Sequence, residues 1–222
     1  MRGIFVTFEG GEGSGKTTHL KRLAHYLLDL GDEIVETRDP GGTTIGKEIR
    51  TLLLSPESAA ISDSAELLLY EASRAQLVRE VITPAIARGG VVLCDRFTDS
   101  TLAYQGFGRG LDLNLIRELN RFTTGGLVPD LTILLDLDPT IGLERCTRGS
   151  RAGLTSRDRL EAEPLSFHQR IREGYLVLAR EEPERIRVMN AAMSMHEIEA
   201  AVRDEVLRIK RSRFKNQSTV QS

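Results

Sequence analysis

Short apolar runs alternate with longer stretches of helical periodicity along most of the chain. Residues 4–8, Ile-Phe-Val-Thr-Phe, are continuous, apolar and rich in β-branched and aromatic types, which predicts a buried strand. A glycine-rich turn follows. From about Gly15 to Leu30 the apolar positions Leu20, Leu23, Leu27 and Leu30 recur at helical spacing, and Gly31 ends the run. Residues 34–37 predict a second strand, Pro40-Gly41-Gly42 a loop and residues 43–54 a helix. A long helix is predicted over 63–88, with Leu67, Tyr70, Leu77 and Val81 on one side and Gly89-Gly90 as its stop. Residues 91–94 predict a third strand, 112–123 a helix capped by Asp112, and 131–137 a fourth, strongly apolar strand. Helices over 139–148 and 163–181, a weaker fifth strand over 186–189 and an amphipathic helix over 195–210 complete the pattern.

Apolar strands that alternate with helices imply an α/β fold, with a five-stranded parallel sheet covered by helices on both faces. No internal repeat or linker divides the chain. One domain is expected over residues 1–214, with a small Arg-rich lid at about 148–160 and a disordered tail over 215–222.

The turn after the first strand carries the most specific signal. Gly10-Gly11-Glu12-Gly13-Ser14-Gly15-Lys16-Thr17 matches G-x-x-x-x-G-K-[ST] in full, between a predicted strand and a predicted helix. The glycines let backbone N–H groups curl around an anion, and the helix adds its positive N-terminal end. Such a loop holds a nucleoside triphosphate. Lys16 is expected to reach the β- and γ-phosphates and Thr17 to hold Mg²⁺, with Gly10 through Thr18 as the ATP-binding stretch. The predicted architecture is therefore the three-layer sandwich of P-loop NTPases. The motif alone leaves the reaction open, because GTPases, motors and small-molecule kinases share it.

Composition narrows the classes. The 222 residues carry 30 Lys+Arg against 32 Asp+Glu, a net charge of −2, which argues against a nucleic-acid coat. Two cysteines, Cys94 and Cys146, cannot build a disulfide framework or a thiolate cluster. No run approaches a membrane span and the N-terminus lacks a signal-peptide layout, so a cytoplasmic setting is expected. Only five basic residues are lysines; the other 25 are arginines, the side chain suited to bidentate phosphate recognition. A GC-rich genome would produce the same bias.

Strand C-termini face the ligand crevice of an open parallel sheet. Asp95 and Arg96 after the third strand, and Arg38 after the second, should therefore lie beside the P-loop. Asp95 is placed to support Mg²⁺ through water and Arg96 to clamp a second phosphate.

These residues sit in longer matches. Leu93 through Gln105 (Leu-Cys-Asp-Arg-Phe-Thr-Asp-Ser-Thr-Leu-Ala-Tyr-Gln) resembles the signature of thymidylate kinases, continuing through Gly106-Phe107-Gly108-Arg109-Gly110. Arg38-Asp39-Pro40-Gly41-Gly42-Thr43 is similar to that family's R-E-P-G-G-T, and Glu71 through Gln76 to its A-x-R-x-Q segment. Asp158-Arg159-Leu160-Glu161, with Phe167-His168 and Tyr175, is similar to the stretch after the lid. The resemblance implies the reaction ATP + dTMP → ADP + dTDP, with Mg²⁺ as cofactor. It places Glu9 and Arg38 near the acceptor phosphate, with Arg96 bridging donor and acceptor. It puts Arg74 on the thymine base, Tyr70 in place of a stacking Phe, and Tyr104 by the deoxyribose. Thr101 and Gln105 would line the base pocket, and Asp39, Pro40 and Ser100 would join the substrate site. Thr17, Asp95 and Glu9 form the implied metal set. The P-loop positions Gly11 to Ser14 carry no arginine, whereas the lid carries Arg148, Arg151, Arg157 and Arg159. This resembles the bacterial class, in which the lid supplies the catalytic cation. Asp39 departs from the usual Glu by one methylene, and Tyr70 adds a hydroxyl that needs a partner if buried.

Two other readings remain at this stage. One is a kinase for another nucleotide or nucleoside. The other is a nucleotide-dependent switch, against which stands the lack of an Asn-Lys-x-Asp base reader. The resemblance also implies a homodimer, through apolar faces of the long helices that could equally be core.

Overall fold

The computed structural model describes residues 3–151 and 158–218. Five strands form one all-parallel sheet: β1 (Ile4–Glu9), β2 (Ile34–Arg38), β3 (Val91–Asp95), β4 (Leu131–Asp136) and β5 (Ile186–Asn190), in the order β2-β3-β1-β4-β5. β1 is central. Its register sets Phe8 opposite Asp95 of β3 and Ile133 of β4, so the carboxyl ends of the inner strands share one edge.

Alternation along β1 explains the two-sided core. Ile4, Val6 and Phe8 pack against Leu20, Leu23 and Leu27 of α1 (Lys16–Asp29) and against Ile198, Val202 and Val206 of α9 (Met195–Ser218). Phe5 points to the opposite face, where it meets Phe97 edge-on, with ring centroids 4.9 Å apart. The apolar positions read from the sequence are therefore split between layers by the period of the strand. On that second face lie α3 (Asp63–Leu77), which carries Tyr70 and Arg74, and α6 (Leu113–Thr124) and α8 (Leu165–Glu181), which pack behind it. α2 (Thr44–Leu54) packs along α3, and α7 (Pro139–Arg151) leads toward the region of the predicted lid.

The expected long helix over 63–88 is present but interrupted. A π-helical turn, Val78–Ile82, separates α3 from the short α4 (Thr83–Ala87). Pro84 supplies the reason: it lacks an N–H and its ring displaces the carbonyl one turn earlier, so the ladder widens there. A second irregular segment follows the short helix α5 (Thr98–Thr101). Residues 102–108 form another wide turn, which the sequence reading did not predict. Its Gly108 lies against the Phe167 ring; a Cβ there would come within 2.8 Å of Phe167 Cε2. The last helix runs to Ser218, past the point at which the sequence suggested that order ends, and residues 219–222 of that tail lie outside the described residues.

A buried charge pair anchors α5 to the sheet. Arg185 donates to both Asp99 carboxylate oxygens, at 2.7 and 2.8 Å, and to Thr132 Oγ1 at 2.7 Å. Thr132 in turn meets Thr7 Oγ1 at 2.8 Å. Asp99 is 2% exposed. Removing one partner of such a pair strands the other in low dielectric. Arg185→Ala is expected to lower the unfolding free energy by about 3 kcal/mol, read from urea denaturation; an unchanged midpoint would contradict this role.

Candidate active site

The loop from Gly10 to Gly15 takes positive φ at three glycines: 134° at Gly10, 65° at Gly13 and 92° at Gly15. At Gly13 a Cβ would also run into the Gly142 carbonyl, so both backbone conformation and close approach demand glycine. Lys16 is 7% exposed and its Nζ donates to the carbonyls of Gly10 at 3.1 Å and Gly11 at 2.9 Å. The cation thus lies folded across its own loop. Thr17 Oγ1 donates to Asp95 Oδ2 at 2.6 Å. The loop, with Arg38, Arg50, Asp95 and Arg96, bounds a cavity of about 330 Å³.

Arg96 follows β3 with φ of 71°, the sole non-glycine residue at positive φ among those described. That conformation costs about 1–2 kcal/mol. Its surroundings hold it there. The backbone N–H donates to Phe8 O at 2.9 Å, and Nη1 reaches Gly10 O at 3.0 Å and the Tyr175 hydroxyl at 3.2 Å. Nη2 reaches Glu12 Oε1 at 2.9 Å, and the guanidinium lies 4.8 Å from the Tyr104 ring centroid.

Glu9, at the end of β1, is fully buried. Oε1 accepts the Phe97 N–H at 2.7 Å; Oε2 accepts from Ser100 Oγ at 2.6 Å and from the Tyr175 hydroxyl at 2.8 Å. Burial and the neighbouring Asp99 raise its pKa to about 7, against the pull of Arg96 and the two hydroxyl donors. Glu12 goes the other way. Burial alone would raise it, but Arg96, Lys16 and the Tyr104 hydroxyl bring it down to about 2.

Behind Arg96, a second pocket is walled by Tyr70 and Arg74 of α3, by Thr101, Tyr104 and Gln105, and by Asp39 and Pro40 after β2. About 60 Å³ of it is open, and the Glu12 carboxylate, which also accepts the Tyr104 O–H at 2.6 Å, joins its lining. Tyr70 and Arg74 fall one turn apart on one helix face, as their spacing predicts.

Arg74 lines this pocket and is also held by protein groups on every side. Nε donates to Asp39 Oδ2 at 2.6 Å, and Nη1 to Glu71 at 2.7 Å and Asn120 at 2.5 Å. Nη2 donates to Thr101 at 2.6 Å and the Phe97 carbonyl at 3.4 Å. All five N–H groups have protein partners, so Arg74 braces the wall it also lines. Glu71, Asn120 and Tyr175 had no assigned role in the sequence reading. Their partners lie 3, 46 and 166 residues away, and only the first spacing carries a helical signal.

The lid arginines divide. Arg148 is exposed on α7 and donates to the Glu144 carbonyl of its own helix at 3.4 Å. Arg157 and the Arg151 side chain lie outside the described residues. Arg159, grouped with the lid on sequence, instead turns inward, donating through Nε to Leu53 O at 3.0 Å and pairing with Glu66. The reason is that Glu66, 1% exposed, needs cationic partners. No cluster of three or more His, Cys, Asp or Glu suited to a metal occurs among the described residues. The Thr17 hydroxyl and Asp95 carboxylate nevertheless fit Mg²⁺, which is commonly held by one or two protein oxygens together with substrate phosphates. Both Glu9 oxygens are taken by internal donors.

A parallel sheet, a complete P-loop at its central strand and a second polar pocket across one arginine define a P-loop phosphotransferase with two substrate sites. The thymidylate kinase family model matches residues 8–202. A thymidylate kinase of Solidesulfovibrio magneticus is 54% identical over 201 residues, covering 90% of this chain and 96% of the relative. One of Deinococcus radiodurans is 51% identical, covering 90% and 95%. The crystal structure of thymidylate kinase from Ehrlichia chaffeensis superposes with a TM-score of 0.74 at 32% identity, covering 94% of this chain and 99% of that one. The chain belongs to the thymidylate kinase family and is a dTMP kinase, transferring a phosphoryl group from ATP to dTMP.

The raised pKa of Glu9 has a consequence for stability. Between pH 4.5 and about 7 the folded protein holds a proton on Glu9 that the unfolded chain releases. Stability from this group is present at low pH and is lost as pH rises through 7. Glu9→Gln is expected to flatten that part of the profile, measured by urea unfolding at pH 5, 6, 7 and 8. An identical slope in the variant would refute the assignment.

Proposed function

We propose that ATP lies with its triphosphate on the P-loop, that dTMP enters the pocket behind Arg96, and that the phosphoryl group passes directly between them. The arrangement around Arg96 supports this most: a single guanidinium touches the Gly10 carbonyl on the donor side and the Glu12–Tyr104 wall on the acceptor side. The nucleophile is a phosphate oxygen of a monophosphate, whose second pKa is about 6. It is already ionised at neutral pH, so no general base is needed. The physical problem is to bring two polyanions into line.

Arg96 answers that problem through a planar fork that holds phosphate oxygens in pairs. The acceptor phosphate competes with the Glu12 carboxylate for Nη2. Lys16 exchanges its loop carbonyls for the β- and γ-phosphates. Arg38, exposed and without a side-chain hydrogen bond or ion pair among the described residues, meets the acceptor phosphate. Glu9 and Ser100 act as positioning groups that hold the Phe97 N–H and, with Tyr175, the Arg96 side chain. Tyr70, Thr101, Tyr104 and Gln105 enclose the nucleoside, while Arg74, Asp39 and Pro40 brace its wall. Thr17 and Asp95 would hold Mg²⁺, with Glu9 a further carboxylate at the end of β1, and the ion would supply positive charge against the triphosphate. Arg148, Arg151 and Arg157 close over the triphosphate. Arg96→Lys keeps one charge but loses the fork. It is expected to lower kcat with dTMP on the order of 10³-fold while thermal unfolding shifts by only a few degrees. Wild-type turnover would dismiss Arg96 as the bridging group.

The protein acts in the cytoplasm as a homodimer in this proposal. No helix among the described residues is long and apolar enough to cross a membrane. On α6, Leu115, half-buried Leu119 and Phe122 form one stripe at i, i+4 and i+7, and Phe122 is 84% exposed. Leu68 on the adjoining α3 is also exposed. A second copy would cover such a face. Phe122→Glu is expected to halve the mass seen by light scattering after gel filtration. A monomeric wild type would refute the dimer.

A further inference from the structure

Gln105 is 1% exposed, and its Nε2 donates to Glu66 Oε1 at 2.8 Å. A primary amide presents a donor at one end and an acceptor at the other, and rotation exchanges them. Its neighbour decides the orientation. An ionised carboxylate only accepts, so the end that meets Glu66 must be the NH₂. The carbonyl then turns to the other side, toward the pocket that Gln105 lines.

Glu66 is built to stay ionised and still. Arg109 donates to its two oxygens through Nε at 3.3 Å and Nη2 at 3.2 Å, and Arg159 adds a close ion pair. These donors, with Gln105, outweigh the burial that would raise its pKa and leave it below the ordinary carboxylate range. The arginines are themselves fixed. Arg109 Nη1 holds Glu163 at 2.6 Å and its guanidinium lies 4.6 Å from the Phe167 ring centroid; the Arg159 backbone N–H meets Leu54 O at 3.2 Å. Glu66 precedes Tyr70 by one turn of α3 and Arg74 by two, so one helix face carries all three.

We propose that Glu66 is a positioning residue that locks the Gln105 carbonyl toward the nucleoside, so that the pocket selects a pyrimidine with an N3–H donor and rejects one whose N3 is an acceptor. Thymine and uracil carry that N–H. Cytosine instead presents a lone pair, and two acceptors would then face each other in a buried site. This rests on the placement of the base beside Gln105 given above.

The test uses the full chain with ATP and Mg²⁺, measuring kcat and KM for dTMP, dUMP and dCMP. In Glu66→Gln, residue 66 can offer either an oxygen or an NH₂, so the Gln105 amide is no longer pinned. The preference for dTMP over dCMP is expected to fall about tenfold or more, through KM, as for a lost buried hydrogen bond. The preference for dTMP over dUMP, which does not depend on N3, is expected to stay within about twofold, whereas general loosening of the pocket would move both ratios. Glu66→Asp, which keeps an acceptor-only group, is expected to retain most of the discrimination against dCMP. Unchanged discrimination in Glu66→Gln, with Gln105→Ala impaired on dTMP, overturns the role of Glu66. Wild-type kinetics in Gln105→Ala overturn the base placement itself. A further arm needs no variant: N3-methyl dTMP is expected to inhibit wild-type enzyme at least about tenfold more weakly than dTMP binds. Equal affinity overturns the proposal.

Discussion

The active site is organised around a guanidinium held in place by a backbone that would relax elsewhere. Arg96 occupies the left-handed region because β3 ends there and its N–H still pairs with Phe8 of the central strand. That geometry turns its side chain back across the sheet edge, between the Gly10 carbonyl and the Tyr104 ring. Glu9 fixes the next residue by accepting the Phe97 N–H. The strain at residue 96 is balanced by these contacts, and a side chain proposed to bridge two phosphates is a fitting place for it.

Around that point the site is a set of buried charges, each balanced by donors from distant segments. Arg74 pairs with Asp39 and Glu71, Arg185 with Asp99, and Glu66 with Arg109 and Arg159. Buried ion pairs add little net stability, because desolvation offsets attraction. Their effect here is geometric. Each ties the surroundings of the pocket behind Arg96 to another element, so segments after β2, in α3, in α5 and in the turn after it keep a common shape. The Arg159 pair further joins the segment from Asp158 onward to the helix that carries Tyr70.

Much of the fold is legible in the sequence. Every predicted strand appears within two residues of its expected bounds, because strands buried on both faces leave continuous apolar runs. The P-loop was legible because its chemistry is local: eight consecutive residues make one cradle. Arg38, Asp95 and Arg96 were found by a topological rule, since strand ends in a parallel sheet meet at one edge. The wide turns carry no such local pattern. Pro84 marked the first, but the second depends on Gly108 packing against Phe167, 59 residues away in sequence.

The sequence by itself determined the layer order of helices and strands, the phosphate loop and the set of arginines available at the sheet edge. Those properties follow from periodicity and from contacts between near neighbours. Only the tertiary structure decided how each charge is used. Arg74 became a fully engaged brace, Arg159 turned inward to Glu66 and Glu9 came to hold the Phe97 amide. The choice rests on which carboxylates and carbonyls arrive beside a side chain once distant segments pack, and on the cost of leaving a buried charge unpaired. Neither is written in the spacing of residues along the chain.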